Sequence, residues 1–251
     1  TPPEHHAAMA EQAMNAGLNV ITEKPMADSL ENCLGMLTAA RATGKTCAVS
    51  QNYRYGASPW TMAQCVAEGV VGEIGQAKID FFKGHSFGGG FRHRMPYPLI
   101  VDMAVHHFDL IRYISGLDAV TVRGSAWNPP WSTYDGDCSS SVIFTMSNGA
   151  RILYNGSWCS KGTFCDWNGN WQIEGSKGTL LYESGQLQHL QVPEEYTVQG
   201  TSEIDPRSPP ATGQDYVLSD FIRAVDEGRR PATDVYDNVR SACMVFQAVE
   251  A

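Results

Sequence analysis

The sequence predicts the later part of a doubly wound α/β sheet, followed by an α+β domain with a large, open and mostly antiparallel sheet. Helices and short apolar strands alternate with short links up to residue 50, which is typical of a doubly wound parallel sheet. From Asp118 onward, short runs of alternating polarity are separated by turn signals, which is typical of antiparallel strands. The length of 251 residues suits one large domain or two modest ones.

Composition and charge exclude several classes of protein. Hydrophobic residues make up 43% and charged residues 18% of the chain, so it can bury a sizeable core and disorder is excluded as its main state. No stretch approaches the ~20 apolar residues of a membrane span. The formal net charge of −9 argues against nucleic acid as a partner, because an acidic surface repels phosphate. The 7 cysteines include no C-x-x-C spacing, so we expect free thiols in a reducing compartment and a cytoplasmic location.

The predicted helices follow from their caps and their composition. Pro2 and Pro3 suit the first turn of a helix, and Gly17 suits its end. Asp28, followed three residues later by Glu31, resembles a capping box that starts the second helix. The predicted helices cover residues 5–16, 28–44, 98–115, 215–227 and 235–251.

The predicted strands fall into two kinds. Residues 18–22 and 46–50 are short apolar runs, which favour buried parallel strands. Later strands alternate in polarity, so we expect an antiparallel sheet with one solvated or partner-facing side. These later strands cover residues 76–82, 119–127, 140–146, 151–157, 171–174, 179–182 and 187–192. The polar, proline-containing stretch 194–213 is predicted to be a loop.

Two polar motifs follow the predicted parallel strands. Residues 23–25, Glu-Lys-Pro, come directly after the first strand, and the carboxyl ends of parallel strands are where open α/β sheets bind ligands. Lys24 either polarises a substrate oxygen there or lies in a solvated surface turn. Arg54 comes after the second strand, where it binds a phosphate or carboxylate group or clamps two domains together.

Asp102, His106 and Asp109 have the spacing i, i+4 and i+7 on one predicted helix, which places them on one face. Three interpretations of this spacing stay open. One is an acid–base pair that acts on a substrate hydroxyl, with the acid orienting the imidazole. Another is a divalent-metal site, since carboxylates and imidazoles both bind such ions. The last is a helix-surface salt bridge of little energetic value.

Glycines and tryptophans are concentrated in two other segments. Residues 88–90 are three glycines, but no G-x-G-x-x-G or Walker spacing occurs in the 251 residues, so we expect a flexible loop over the site. Five of the 6 tryptophans lie between Trp127 and Trp171. They either pack within the sheet, contact a sugar or form a subunit interface.

Taken together, these motifs resemble the glucose–fructose oxidoreductase and inositol dehydrogenase family, Gfo/Idh/MocA. Thr1-Pro2-x-x-x-His6 is similar to its T-P-x-x-x-H motif, and Glu23-Lys24-Pro25 follows at the family's spacing. Asp102-x-Ala104-x-His106-x-x-Asp109 is similar to its D-x-G-x-H-x-x-D motif, with alanine in place of the usual glycine. Residues 174–179 and 228–231 resemble the family's late sheet turn and the turn before its last helix.

The resemblance implies a Rossmann domain followed by an α+β domain, in an NAD- or NADP-dependent oxidoreductase. Such an enzyme transfers a hydride between its cofactor and a sugar, polyol or related hydroxy or keto compound. The family's glycine-rich turn lies upstream of its T-P motif, so residues 1–52 are expected to be a truncated dinucleotide-binding domain and the chain alone to be inactive. Residues 53–235 are the expected substrate and oligomerisation domain, and residues 236–251 the expected, incomplete C-terminal helix. We expect a homo-oligomer formed through the open sheet, and no nucleic-acid or membrane partner.

Carried over residue by residue, the resemblance implies catalysis by Lys24, Asp102 and His106. His106 is then the proton acceptor, Asp102 anchors it or a neighbouring hydroxyl, and Lys24 polarises the reacting oxygen and relays the proton. Arg54, Asp102 and His106 are expected to bind the substrate, and no metal is expected. The expected cofactor-binding residues are Thr1, Pro2, His6, Glu23, Lys24 and Pro25. Two alternatives stay open, namely a metal-dependent hydrolase or isomerase that uses Asp102, His106 and Asp109, and a non-catalytic sugar or dinucleotide sensor.

Overall fold

A computed structural model describes residues 1–162 and 165–251 of the chain. Its α-helices are α1 (His6–Asn15), α2 (Leu30–Thr43), α3 (Ala57–Ala67), α4 (Phe91–Arg94), α5 (Val105–Ser115), α6 (Gly213–Glu227) and α7 (Val235–Glu250). Its strands are β1 (Val20–Thr22), β2 (Cys47–Val49), β3 (Ile74–Phe82), β4 (Ala119–Trp127), β5 (Ser139–Met146), β6 (Arg151–Ser157), β7 (Asn170–Gly175), β8 (Gly178–Glu183), β9 (Gln186–Gln191) and β10 (Gly200–Glu203). Shorter helical segments are the 3₁₀ turns Pro3–His5 and Asn52–Tyr55 and the π-helical segment Leu99–Ala104.

The first unit is a small α/β layer. Strands β1 and β2 pair in parallel, with Thr22 opposite Val49, and α1 and α2 bury Met14 and Met36 in the same apolar cluster. This confirms the predicted α/β character of the segment. Because both strands end at the same edge, the residues that follow them lie side by side, and the candidate site is built there.

Local side chains determine where α2 begins and ends. Ser29 is its N-cap, since the Ser29 hydroxyl accepts a hydrogen bond from the Asn32 N–H at 3.2 Å. Asp28 instead accepts from the Asn32 side chain at 2.6 Å. The predicted capping box was therefore placed one residue early. Gly44 ends the helix with a φ of 66°, a left-handed conformation that glycine adopts at little cost.

Eight strands form the second sheet, in the order β10-β9-β8-β7-β3-β6-β5-β4. All neighbours pair antiparallel except β3 and β6, which run parallel with Ile79 opposite Tyr154. The sheet is therefore mostly antiparallel, as predicted. On one face of the sheet, alternate residues of the strands are buried in the core. Examples are Phe81, Phe144 and Leu180, which have no exposed surface.

Helix α3, the short helix α4 and strand β10 were not predicted. Helix α3 follows the Asn52–Tyr55 turn, and its Pro59 lies in the first turn, where a missing N–H costs nothing. Strand β10 lies within the stretch predicted to be a loop, and it pairs with β9 through the backbone. Its residues, Gly-Thr-Ser-Glu, include no apolar side chain, and three of the four are exposed. The sequence therefore had no apolar alternation from which this strand could be predicted.

Helices cover the inner face of the large sheet. The predicted helix over residues 98–115 is divided into the π-helical segment and α5. Phe108 of α5 packs edge-on against Phe144 and Tyr154 at ring-centroid distances of 4.8 Å and 5.1 Å. The i→i+5 bonding of a π-helix widens its turn, so the predicted single face for residues 102–109 does not hold across the junction.

Helix α7 belongs to both apolar cores. Val235, at its start, packs with the first unit, whereas Met244 and Val245 pack with the core beneath the large sheet. Since one helix is buried on both sides, the two units are fixed relative to each other. This fixes the distance between the end of β1 and the start of α5.

Cys138 and Cys159 form a disulfide between the start of β5 and the turn after β6. The sequence predicted only free thiols, and a separation of 21 residues gave no signal for this pairing. The unpaired cysteines of the described residues are Cys33, Cys47, Cys65, Cys165 and Cys243. Among the helices in residues 1–162 and 165–251, none is long and apolar enough to span a membrane.

Candidate active site

Lys24 and Asp102 meet where the first unit contacts the π-helical segment. The Lys24 Nζ atom donates to the Asp102 carbonyl oxygen at 2.6 Å and to its Oδ1 atom at 3.1 Å. The residues are 78 positions apart, so folding brings the end of β1 to this helix. Only 15% of the Lys24 side chain and 8% of the Asp102 side chain are exposed. Two of the predicted catalytic residues are therefore in direct contact.

Arg92 is a second cation on Asp102, and it was not predicted from the sequence. Its Nε atom donates to Asp102 Oδ2 at 2.6 Å, and its Nη2 atom lies 3.4 Å from Oδ1. Residues 88–90 have φ angles of 64°, 92° and 95°, a region that favours glycine, and the turn they form leads into α4. The glycine triplet was the only feature near Arg92 that the sequence brought out. A loop has no periodic pattern, so nothing in the sequence indicated that Arg92 binds Asp102.

His106 is buried and neutral. Its ring stacks on Tyr53 with a centroid distance of 4.0 Å, and its Nδ1 atom is buried without a hydrogen-bond partner among the described residues. Burial, together with the Lys24 ammonium and His107, holds the pKa of His106 well below its usual range. The imidazole is therefore uncharged at pH 7 and able to accept a proton.

Tyr53 belongs to the same group of residues, since it stacks on His106 and Asp102 acts on its phenol. We call the group formed by Lys24, Tyr53, Arg92, Asp102 and His106 the cleft. Burial, with the carboxylates of Asp166 and Asp102, raises the pKa of Tyr53 to about 12, so its phenol stays protonated at neutral pH. Asp166 is held by the Tyr182 hydroxyl and by the N–H of Asn168 at 2.8 Å. Within the described residues the Tyr53 hydroxyl makes no hydrogen bond, so it remains available to a ligand. Tyr53 directly precedes Arg54 in the sequence, but only Arg54 was predicted to have a role there.

His107 supports the segment that holds Asp166. Its Nε2 atom donates to the Trp167 carbonyl oxygen at 3.0 Å, and its Nδ1 atom accepts from the Tyr154 hydroxyl at 3.2 Å. Burial lowers the pKa of His107 to about 4. The neutral ring has both nitrogens occupied, so His107 orders the wall of the cleft and takes no part in proton transfer.

The predicted cofactor-binding residues lie together near the carboxyl end of β1. His6 joins two segments, because its Nδ1 atom is 2.8 Å from the Pro25 carbonyl oxygen and its Nε2 atom 2.9 Å from that of Thr1. A cavity of about 330 Å³ borders Thr1, His6 and Glu23. Glu23 is exposed, and its carboxylate accepts from the Gln214 side chain at 3.3 Å. The predicted set was Thr1, Pro2, His6, Glu23, Lys24 and Pro25.

The polar groups at this edge fit the reactive end of a nicotinamide dinucleotide. Lys24 supplies a cation beside an uncharged imidazole. Gln51 follows β2 at the same edge, and both of its amide atoms are buried without a hydrogen-bond partner among the described residues. Buried amides are normally paired, so this one marks a place for a polar group from outside the chain. The 251 residues hold no glycine-rich turn for a pyrophosphate, so the fit concerns the nicotinamide end alone.

The Arg54 guanidinium is bound by other residues of the chain, and these contacts favour a structural role over the predicted role in substrate binding. Its Nε and Nη2 atoms each donate to the Asp109 carboxylate at 2.6 Å. Nη2 also donates to Asp237 at 2.9 Å, and Nη1 donates to the Ala232 carbonyl oxygen at 3.1 Å. Asp109 accepts a further bond from the Ser241 hydroxyl at 2.7 Å. Arg54 is therefore the clamp between α5 and α7, which the sequence had left as its other interpretation.

The same contacts separate the residues of the alternative metal site. Asp102 faces Lys24 and Arg92, whereas Asp109 faces Arg54, so the two carboxylates bind different cations. Among the described residues, no group of three or more His, Cys, Asp or Glu side chains is placed to hold a metal ion. The geometry therefore does not favour a metal-dependent hydrolase or isomerase.

Comparison with known families gives two matches, and both belong to one family. Residues 1–51 match the GFO/IDH/MocA model described as an oxidoreductase family with an NAD-binding Rossmann fold, and residues 60–181 match the GFO/IDH/MocA C-terminal domain. The first match is to an NAD-binding family, which confirms the predicted class of cofactor, a nicotinamide dinucleotide. The first match contains Lys24 and the second contains Asp102, His106 and Asp166, whereas Tyr53 lies between the two matched ranges.

Individual proteins resemble the whole chain. The uncharacterized protein y4oX of Sinorhizobium fredii is 27% identical, over 100% of this chain and 72% of its own length. D-apiose dehydrogenase of Rhizobium rhizogenes is 23% identical, over 100% of this chain and 75% of its own. The chain spans only 55%, 47% and 41% of three other curated relatives.

A solved structure shares the fold. The structure of an oxidoreductase from Agrobacterium radiobacter, in complex with NAD⁺, L-tartaric acid and magnesium, superposes with a TM-score of 0.87 at 20% identity. That match covers 100% of this chain and 75% of the other. It confirms the predicted fold class.

Proposed function

We propose, since this chain belongs to the GFO/IDH/MocA family of oxidoreductases, that it carries the catalytic groups of an NAD- or NADP-dependent dehydrogenase. The proposed substrates are sugars, polyols or related compounds with a hydroxyl to be oxidised. The observation that carries the proposal is the contact of Lys24 with Asp102 beside the neutral, buried His106. One relative, D-apiose dehydrogenase, acts on a sugar according to its name.

In the proposed reaction, His106 accepts the proton of the substrate hydroxyl. Its pKa is held low, so the base form is fully populated at neutral pH. Lys24 donates a hydrogen bond to the same oxygen and stabilises the negative charge that develops there. When bound, the nicotinamide ring supplies the hydride acceptor. A positioned acid–base group of this kind typically contributes about 10²–10⁴-fold to the rate.

Asp102 positions the cation in this scheme. Its carboxylate and carbonyl oxygens both accept from Lys24, which limits the directions in which the ammonium can point. The Tyr53 ring stacks on the face of the His106 ring and so limits the orientations of the imidazole. Residues near the end of β1, led by Thr1, His6 and Pro25, are proposed to hold the cofactor beside these groups.

The outward face of the large sheet is the proposed subunit interface. Ile143 and Leu153 pair across β5 and β6, with 44% and 37% of their surface exposed. They are flanked in register by Arg123 on β4 and Lys78 on β3. We propose a homo-oligomer formed through this apolar pair. Cytoplasmic location stays a prediction, and the Cys138–Cys159 disulfide removes part of its basis.

The test is dinucleotide reduction by the protein expressed from its complete gene, measured through NADH or NADPH absorbance with a panel of sugars, polyols and their acids. The account expects turnover with at least one of them. A sensor that binds sugar without turnover is the remaining alternative, but binding alone would not need a neutral, buried imidazole beside the Lys24 ammonium. Absence of dinucleotide reduction across the panel would contradict the proposal.

A further inference from the structure

We propose that the Arg92 guanidinium is a carboxylate-binding site, so that the substrate is a hydroxy acid of the sugar-acid class and not a neutral sugar. The inference rests on the proposed function, because it names the substrate class of the same cleft. It is carried by the hydrogen bonds of Arg92, by the rings around it and by the balance of charge at the site.

Arg92 has hydrogen-bond donors that no described residue uses. A guanidinium carries five N–H groups in a rigid fork. Arg92 uses its Nε and Nη2 atoms on Asp102, and its Nη1 atom makes no hydrogen bond to any described residue. About a third of the side chain is exposed, 32% against 8% for Asp102. The free side of the fork is therefore open to solvent and to a ligand.

Aromatic rings hold the guanidinium without using its donors. The Arg92 Cζ atom lies 4.9 Å from the centre of the Phe87 ring and 4.6 Å from that of Phe91. Contacts of this kind orient the plane of the group and leave its N–H edge free. A planar fork that is already oriented loses little entropy when it binds a carboxylate, which it matches with two parallel hydrogen bonds.

The cleft has more positive than negative charge. Lys24 and Arg92 share the single carboxylate of Asp102, which leaves one positive charge uncompensated. The Asp166 carboxylate also acts on this site, since it raises the pKa of Tyr53, but Lys83 packs against the segment that holds Asp166. The Lys83 Nζ atom lies 4.9 Å from the centre of the Trp167 ring. His106 adds no charge, since its pKa is lowered by burial. In a chain with a net charge of −9, a local excess of positive charge favours an anionic ligand over a neutral one.

Arg94 provides the matched control. It lies on the same short helix two residues after Arg92, is exposed, and lines a different cavity of about 530 Å³ with Glu4 and Phe246. No described residue forms an ion pair with it. Arg94→Gln therefore removes the same charge from the same segment without touching Asp102.

The experiment measures binding, by isothermal titration calorimetry, to the protein expressed from its complete gene. Each sugar acid is paired with the polyol that has a hydroxymethyl group in place of the carboxylate. The pairs are D-gluconate with D-glucitol, L-arabinonate with L-arabinitol and L-threonate with L-threitol. At least one acid is expected to bind about tenfold more tightly than its polyol, as a charge-assisted bidentate pair implies. Higher ionic strength should weaken the binding of the acid and leave the binding of the polyol unchanged.

The variants decide whether Arg92 is responsible. Arg92→Gln is expected to abolish the preference for the acid, Arg92→Lys to retain part of it, and Arg94→Gln to retain all of it. Thermal unfolding of each variant confirms that it is folded. Equal binding of acids and polyols, no binding of either, or an intact preference in folded Arg92→Gln would overturn the assignment.

The proposed function can fail separately. Turnover of polyols with no preference for acids would leave the dehydrogenase proposal standing and overturn the carboxylate site. Arg92-dependent binding of an acid without any dinucleotide reduction would support the site and overturn the dehydrogenase.

Discussion

Replacing Arg54 tests whether it is a structural clamp or a substrate ligand. Its side chain is 7% exposed, and it makes two bonds to Asp109, one to Asp237 and one to the Ala232 carbonyl oxygen. Arg54→Met keeps the length and apolar body of the side chain but leaves Asp109, 1% exposed, without its cation. Removing one partner of a buried ion pair leaves an uncompensated buried charge.

The expected loss is large because the pair is buried. Breaking a buried ion pair in this way typically costs about 3–5 kcal/mol in the free energy of unfolding. Arg207→Met is the matched control, since Arg207 makes a similar two-atom contact with Glu68 at the surface, where 43% and 51% of the side chains are exposed. That control is expected to lose far less stability, because water and salt screen an ion pair at the surface. Urea denaturation of the three proteins measures both values.

A double variant separates the charge from the contact. Arg54→Met with Asp109→Leu removes the stranded carboxylate as well, so it is expected to be more stable than Arg54→Met alone. The clamp would be refuted if Arg54→Met lost less than about 1 kcal/mol while its KM for the substrate rose. That outcome would restore the substrate-binding role predicted from the sequence.

Three further predictions concern the cleft and the interface. The free energy of unfolding should fall as the pH drops from about 6.5 to about 4, because His107 and His106 take up protons there only when unfolded, and His107→Gln should make this dependence shallower in urea titrations. Tyr53→Phe keeps the stack on His106 and should lose less turnover than Tyr53→Ala. Ile143→Glu should give monomers in light scattering, because it places a charge in the proposed interface. An unflattened pH profile, equal turnover of the Tyr53 variants or an oligomeric Ile143→Glu protein would contradict these expectations.

Sequence patterning located the groups of the cleft but not all of their contacts. Lys24 was identified by its place after a parallel strand and His106 by its helix and its motif, and both lie at the site. Arg92 has no periodic neighbour in its loop, so its contact with Asp102 became visible only in the folded chain. Arg54 follows a strand as Lys24 does, and sequence position cannot tell a clamp from a ligand when both roles need a buried guanidinium.

The fold shows the same division. Strand β6 was predicted with its observed bounds, and exposed and buried positions alternate over most of its length. Strand β10 pairs through its backbone alone and was missed. The π-helical segment was missed because its residues, Leu99–Ala104, are as apolar as those of an ordinary helix. The Cys138–Cys159 pairing depends on where two strands end, which no local pattern records.

The central claim is that His106 is the base of a nicotinamide-dependent dehydrogenase. The direct measurement is the turnover of His106→Ala, in the protein expressed from its complete gene, together with its affinity for NAD⁺ or NADP⁺. The account predicts that turnover falls by about 10²-fold or more while the affinity for the dinucleotide is nearly unchanged. A fully active His106→Ala protein, or wild-type turnover that EDTA abolishes and a divalent ion restores, would contradict it.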